Sequence, residues 1–446
     1  MGYAQANRLL AQRLQTIADR HEVPGLAVLL VDKNGIRESL ALGYADLAQR
    51  RPMTVDTLVR VGLITKKFNA IALLQLEAAG LVSLDARLQE LAPELPLSNP
   101  WEDEHPVTLV HLLENTAGLM DMSREEFAHN EPFASLRAAF DFAPENRRAS
   151  WPPGFYAEYS NVGSGYLGYV IEQASGMSYE AFMRERVLTP MGLRSATLRA
   201  DDATLQRLAV GYDTDGRSVI PYWHMVFPPM GAINATPREM ACLPQFLLRR
   251  GELDGKRMIA PLTVVRMETP SSSLAARAGL TYGCGLGLDQ EIDGQLVWYG
   301  HEVDGDGYLS HFSYQKDLGI GYFLTLNAFK RAALSDLKDA MRAYLAEDSA
   351  QSGMAPMKAD VNPPGRIVGD YEQLTTRFDS AWRLRLSIVK RDNRLFLVYP
   401  SGREVRIMPV ADGLFRHPHH PIATIAVVDV GGRIVISGDF GKYGKK

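Results

Sequence analysis

The chain is poor in cysteine. Cys242 and Cys284 are the only two in 446 residues, which excludes a disulfide scaffold and a thiolate metal cluster and fits a reducing compartment. Both read as small buried apolar residues. Long apolar runs are also missing: stretches such as Gly25–Val31 fall far short of the roughly 18 residues that span a bilayer, so no membrane association is expected. The first ten residues lack a basic segment followed by an apolar one. No secretory leader is read there, and the cytoplasm is the expected compartment. Positive charge is not in excess either. With 48 Lys and Arg against 52 Asp and Glu, the net charge is −4, which gives no cationic field to hold a phosphate backbone, and nucleic acid is not an expected partner. No repeat, low-complexity run or charge block is present.

What is there is an ordinary globular composition, 46% apolar, in a chain longer than one core usually needs. Residues 4–20 place Leu10, Leu14 and Ile17 at helical spacing, and Gly25–Val31 then reads as a buried strand ended by the turn Asp32-Lys-Asn-Gly35. Ile64–Ala79 carries Phe68, Ala72, Leu73 and Leu76 on one helical stripe, with Gly80 as its C-cap. Further helices are expected over Gly163–Ala174 and Pro237–Arg250, and strands over Gln295–Tyr299 and Gly319–Leu326. The polar, proline-bearing stretch at 349–364 has no periodicity and reads as a linker between a domain at 1–348 and one at 365–446. In the tail, Leu384, Leu386 and Ile388 alternate with polar residues. Thr424–Val430 faces Arg433–Ser437 across Gly431-Gly432, so the tail reads as a small all-β unit.

Several motifs follow one another in a telling order. Val61-Gly62-Leu63-Ile64-Thr65-Lys66-Lys67-Phe68 opens a helix, Tyr159-Ser160-Asn161 follows Pro153-Gly154, and Tyr299-Gly300-His301 precedes Gly307-Tyr308. Supporting segments are Pro106–Leu119, Met230–Met240 and Tyr282–Leu288. Over residues 10–345 this set resembles the serine β-lactamases and penicillin-binding-protein-like hydrolases, in their class C β-lactamase and esterase branch. The three motifs stand where that family has S-x-x-K, Y-x-N and the H-x-G or K-T-G strand. The resemblance implies an α+β, β-lactamase/transpeptidase-like fold: an antiparallel sheet flanked by helices, plus a helical subdomain. The tail resembles the lipocalin-like β-barrel often appended to such proteins.

One departure outweighs these agreements. Leu63 stands where the family carries its nucleophilic serine, three residues before Lys66, so an acyl-serine intermediate cannot form. Loss of the nucleophile in a serine hydrolase costs on the order of 10⁶ in turnover. Thr65 lies about 200° around the helix from Leu63 and is expected to pack away from the site. Ser160 has no nucleophilic role by resemblance. The resemblance implies acid–base roles for Lys66, Tyr159 and His301, a substrate-facing amide at Asn161, and a groove lined by Leu63, Glu302 and Val303. The main-chain N–H groups of Leu63 and Val303 form the expected anion-binding pair. Val303 replaces a glycine of the pattern, and its branched side chain is expected to narrow the groove.

Elsewhere, His417-Pro-His-His420 lacks a carboxylate or cysteine at metal-site spacing and reads as a solvated loop. No metal or cofactor is expected. Trp151, Tyr156, Tyr222, Trp223 and Phe227 suit either core packing or a cleft wall, and Met120–Ser150 is long enough to form a lid. The expected partner is a small molecule, with the oligomeric state open. The favoured expectation is an enzyme doing non-covalent acid–base chemistry on a small carbonyl compound: proton abstraction, elimination, cyclisation or direct hydrolysis. The alternatives are a non-catalytic binding protein and a hydrolase using another nucleophile.

Overall fold

The computed structural model describes residues 3–305, 307–347, 365–378 and 382–446; the expected linker at 349–364 lies outside them. The first domain is built on a seven-stranded antiparallel sheet. In chain order its strands are β1 (Gly25–Asp32), β2 (Gly35–Asp46), β3 (Arg51–Pro52), β4 (Asp289–Asp293), β5 (Leu296–Gly305), β6 (Tyr308–Gln315) and β7 (Ile320–Leu326). Their spatial order is β4-β5-β6-β7-β1-β2-β3. The apolar run of β1 exists because both faces of this central strand are covered. Leu26, Val28 and Leu30 join the core under two helices, α1 (Tyr3–Arg20) and the long helix that closes the domain, while Leu29 and Val31 pack on the opposite side.

Between β3 and β4 lies the helical region. Its centre is α2 (Thr65–Ala78), packed on α3 (Val162–Ser175) through a core that includes Phe68, Ile71, Tyr166 and Val170. Gly80 and Gly176 follow the two helices with positive φ, as expected of residues that end helices. The single helix expected over Pro237–Arg250 is two short ones, Pro237–Met240 and Cys242–Leu248. Pro244 explains the break: it lacks an N–H and is tolerated only in a first turn, so a new helix begins just before it. Helix α4 (Arg331–Glu347) closes the domain, packing against α1 and the sheet. Among the described residues no helix is long and apolar enough to cross a membrane.

The second domain is a closed barrel of eight antiparallel strands: β8 (Gly369–Gln373), β9 (Arg385–Arg391), β10 (Arg394–Val398), β11 (Glu404–Ala411), β12 (Leu414–Arg416), β13 (Ile425–Val430), β14 (Arg433–Gly438) and β15 (Gly441–Lys445). Consecutive strands pair, and β15 returns to β8 through Tyr371 and Lys445. Leu386, Ile388, Leu395 and Leu397 fill the interior, whereas Leu384 precedes β9 and is exposed. Gly431-Gly432 makes the expected hairpin turn with φ of 59° and 86°, which a side chain would resist.

The barrel rests on the first domain through specific polar contacts. Thr375 Oγ1 donates to Glu158 Oε2 at 2.6 Å, and Gln295 Nε2 donates to the His419 carbonyl at 2.9 Å. The Asp121 N–H donates to the Arg377 carbonyl at 2.8 Å.

Candidate active site

The site begins at a tight turn, Gly62–Ile64, that runs directly into α2. Residues three apart on such a turn share a face, so Leu63 and Lys66 stand together. Leu63 is buried at 5% exposure and borders a cavity of about 790 Å³. Thr65 points away as expected: its hydroxyl donates to the Gly62 carbonyl at 2.7 Å and accepts from the Ile233 N–H at 3.2 Å. Ser160 is also engaged elsewhere, with Oγ donating to the Met120 carbonyl at 3.0 Å.

Lys66 and Tyr159 meet. The Lys66 ammonium donates to the Tyr159 hydroxyl at 2.8 Å and to the Ser160 carbonyl at 3.3 Å, and it lies 3.9 Å from the tyrosine ring centre. Burial, helped by the positive charges of Lys67 and Arg377, brings its pKa down to about 7 against the pull of Asp121. Burial and the Asp121 carboxylate push the Tyr159 phenol well above its ordinary value. Near neutral pH the pair is therefore an amine that exchanges its proton readily beside a phenol that keeps its own.

His301, on β5, stacks near Tyr159 with ring centres 6.2 Å apart. Its Nδ1 is hydrogen-bonded to Asp289 Oδ2, and its buried Nε2 has no hydrogen-bond partner among the described residues. Burial, with the Lys67 charge, lowers its pKa to about 4, so the ring is neutral. With Nδ1–H donated to the carboxylate, Nε2 carries the lone pair. Burial disfavours ionised Asp289, but Lys67 and His301 overcome this and hold the carboxyl well below its usual range. Lys67 reads as a surface residue in the sequence; its side chain is instead 2% exposed, 3.6 Å from Asp289.

Strand alternation sorts the residues after His301. Val303 shares the His301 face and covers Gly62, where a Cβ would come within 2.3 Å of Val303 Cγ1. Gly62 also has φ of +54°, so glycine is required twice over. Glu302, expected in the groove, is carried to the other face, where it pairs with Lys338 of α4 at 2.6 Å. It is not part of the site.

Asn161 is also differently employed. Its N–H and Nδ2 donate to Asp121 at 2.8 and 3.1 Å, and its Oδ1 accepts from Tyr159 at 3.3 Å. The amide expected to meet a ligand instead positions the tyrosine.

Two further residues complete the constellation. Asp121 has a side chain 2% exposed and pairs with Arg377 Nε at 2.8 Å. The Arg377 guanidinium stands 4.6 Å from the Tyr159 ring centre. Arg377 belongs to the stretch between β8 and β9, so the barrel itself contributes to the cleft. Neither residue sits in a recognisable motif, and only the tertiary fold brings them in. The cavity wall includes Met120, Phe127, Arg148 and Arg377 beside Leu63, so residues of Met120–Ser150 form part of that wall. Trp151, Trp223 and Phe227 are buried core residues. Behind Tyr159 a second cavity of about 260 Å³ is bounded by Cys284, Asp289 and Lys442. Both cysteines are free, and burial pushes both thiols up, which leaves them protonated and unreactive.

A sheet with helices on both faces and a lysine–tyrosine pair beside the start of α2 define a β-lactamase-like fold and cleft. The sequence profile described as Beta-lactamase matches residues 8–346, and the chain belongs to that family. Penicillin-binding protein 4 of Amycolatopsis lactamdurans is 25% identical over 379 residues, 81% of this chain and 96% of that protein. Among solved structures, SurE aligns with a TM-score of 0.65 at 23% identity over 99% of both chains. The class C β-lactamase of Rhodobacter sphaeroides aligns at 0.61 and 18% identity, covering 75% of this chain and 99% of its own. At these identities the structural matches speak to fold alone.

Proposed function

We propose that this cleft performs proton transfer on a small carbonyl-containing ligand without an acyl-enzyme. The observation that carries the reading is the 2.8 Å Lys66–Tyr159 hydrogen bond standing beside an aliphatic Leu63. In this reading the neutral Lys66 amine accepts a proton from the ligand, and the ammonium so formed relays a proton through the Tyr159 hydroxyl to a leaving or developing oxygen. The phenol thus regains from Lys66 the proton it gives, and the amine returns to its neutral form. His301 Nε2 is a second acceptor on the strand side. The N–H groups of Leu63 and Val303 polarise the carbonyl, because backbone donors act whatever side chain they carry. Arg148 and Arg377 favour a ligand that also bears a carboxylate. Proton abstraction, elimination, cyclisation or attack by bound water all fit this arrangement.

A panel of β-keto acids, N-acyl amino acids and aryl esters, followed by NMR in D₂O, tests the proposal. Wild type and Leu63→Ala are expected to give exchange or product, and Lys66→Ala to lose at least about 100-fold. The intact mass of the wild type stays unchanged throughout. Equal turnover by Lys66→Ala, or a covalent adduct on the wild type, overturns the proposal; an adduct would mean a hydrolase with another nucleophile.

The second reading is a binding protein with no chemistry. The packing of Val303 on Gly62 favours it, since it fills space beside the two backbone donors. Saturable binding of a panel compound recovered without exchange or conversion is the result that would select it.

A further inference from the structure

The His417-Pro-His-His420 run is not the open loop its sequence implies. Arg416, at the end of β12, donates through Nη1 to the carbonyls of His417, Pro418 and His420 at 3.2, 2.8 and 3.0 Å. These bonds curl the run so that the His417 and His420 rings stand 4.8 Å apart, edge to face. The carboxylate that sequence spacing did not offer arrives from the β14–β15 turn: Asp439 Oδ1 lies 3.6 Å from His417 Nε2. One ring nitrogen of each histidine and one Asp439 oxygen all fall within 4.8 Å of one another. The His417 side chain is 14% exposed, and its buried Nδ1 has no hydrogen bond among the described residues. The Thr424 hydroxyl, 3.2 Å from His420 Nδ1, orients the second ring.

We propose that His417, His420 and Asp439 bind a zinc ion at the barrel rim. Two imidazoles and a carboxylate are the donors of three-ligand zinc sites, whose fourth position is left open. Donor atoms about 2.0–2.1 Å from a tetrahedral zinc are separated by roughly 3.3 Å. The 3.6 Å His417–Asp439 spacing is already near that value, and small side-chain rotations close the rest. A metal-bound imidazole usually donates its other ring N–H to an oxygen acceptor, and the Thr424 hydroxyl beside His420 Nδ1 is in place to accept it. The rim is also where the barrel meets the first domain, through Gln295 and the His419 carbonyl at 2.9 Å. A bound ion would fix the turn that makes this contact. The Arg416 guanidinium close by opposes a second cation, so the affinity is expected to fall below that of closed structural zinc sites.

The test uses the full chain, treated with chelator and titrated with Zn²⁺ by calorimetry, and with Co²⁺ followed by its visible absorption. One ion per chain is expected, with Co²⁺ bands of a four- or five-coordinate site. Asp439→Asn and His420→Ala should each weaken binding at least about tenfold, and His419→Ala should not. Far-UV circular dichroism confirms that each variant is folded. The nearly isosteric Asp439→Asn keeps the question answerable if His420→Ala fails that check. Absence of saturable binding by the wild type, or unchanged binding by folded Asp439→Asn, overturns the site.

Discussion

Replacing Leu63 by serine asks whether the cleft lacks anything besides an oxygen. Leu63 is 5% exposed but borders the 790 Å³ cavity, so the shortened side chain opens into existing space and does not leave a sealed void. At about 0.8 kcal/mol per buried methylene, the loss comes to about 2 kcal/mol, with little added cavity cost. For a domain of this size that lowers Tm by about 3 °C. The new hydroxyl would stand one turn before Lys66, whose pKa burial brings down to about 7. Removing such a nucleophile costs about 10⁶ elsewhere. Val303 over Gly62 keeps part of that from returning, so a gain of at least about 100-fold in aryl-ester hydrolysis is expected. A fluorophosphonate adduct on residue 63, read by intact-protein mass spectrometry, should accompany it. A folded Leu63→Ser variant that neither hydrolyses esters nor takes the label would refute the reasoning, because Lys66 would then not be poised as a base.

Asp289→Asn leaves Lys67 buried without its counter-charge. It should cost about 3 kcal/mol in urea unfolding at pH 7, since breaking one partner of a buried pair strands the other. Because folding depresses the Asp289 pKa, its stabilisation is complete above the usual carboxylate value of about 4. It is lost as pH falls below that toward the native value, so the gap between wild type and variant should narrow in unfolding curves at low pH. Arg377→Ala removes a positive charge that lowers the Lys66 pKa, so that pKa should move upward in an NMR titration. The affinity for carboxylate-bearing ligands should fall about tenfold by calorimetry, as a charged hydrogen bond is lost. Glu302→Gln breaks only a partly exposed pair with Lys338 on the far side of the sheet. Stability should change by less than about 1 kcal/mol, and turnover should match wild type.

Much of this fold was legible in the chain because its local signals agree with its tertiary demands. The apolar run of β1, the stripe of α2 and the glycine pair between β13 and β14 each say locally what the whole requires. The helix expected over Pro237–Arg250 divides because Pro244 punctuates a pattern whose apolar spacing continues across it. In the site, Leu63, Lys66, Tyr159 and His301 stand together because each belongs to a motif with fixed local geometry. Glu302 went astray for a simple reason: period-two alternation sends it opposite to His301, and adjacency in sequence is separation in a strand. Asp121, Asp289 and Arg377 were hidden because long-range packing positions them, with no periodic pattern around Arg377 to mark it. Lys67 looked like a surface lysine until the fold placed a carboxylate beside it. The same is true of Asp439, which meets His417 and His420 only once the barrel closes.

Titration of the Lys66 amine by NMR, using chain labelled at lysine Cε and assigned with Lys66→Ala, bears most directly on the idea of a proton-transfer centre without a nucleophile. A midpoint near 7 is the expected result. A midpoint near the ordinary lysine value of about 10.4 would mean a permanently charged side chain at this position, and the proposed chemistry would have no base.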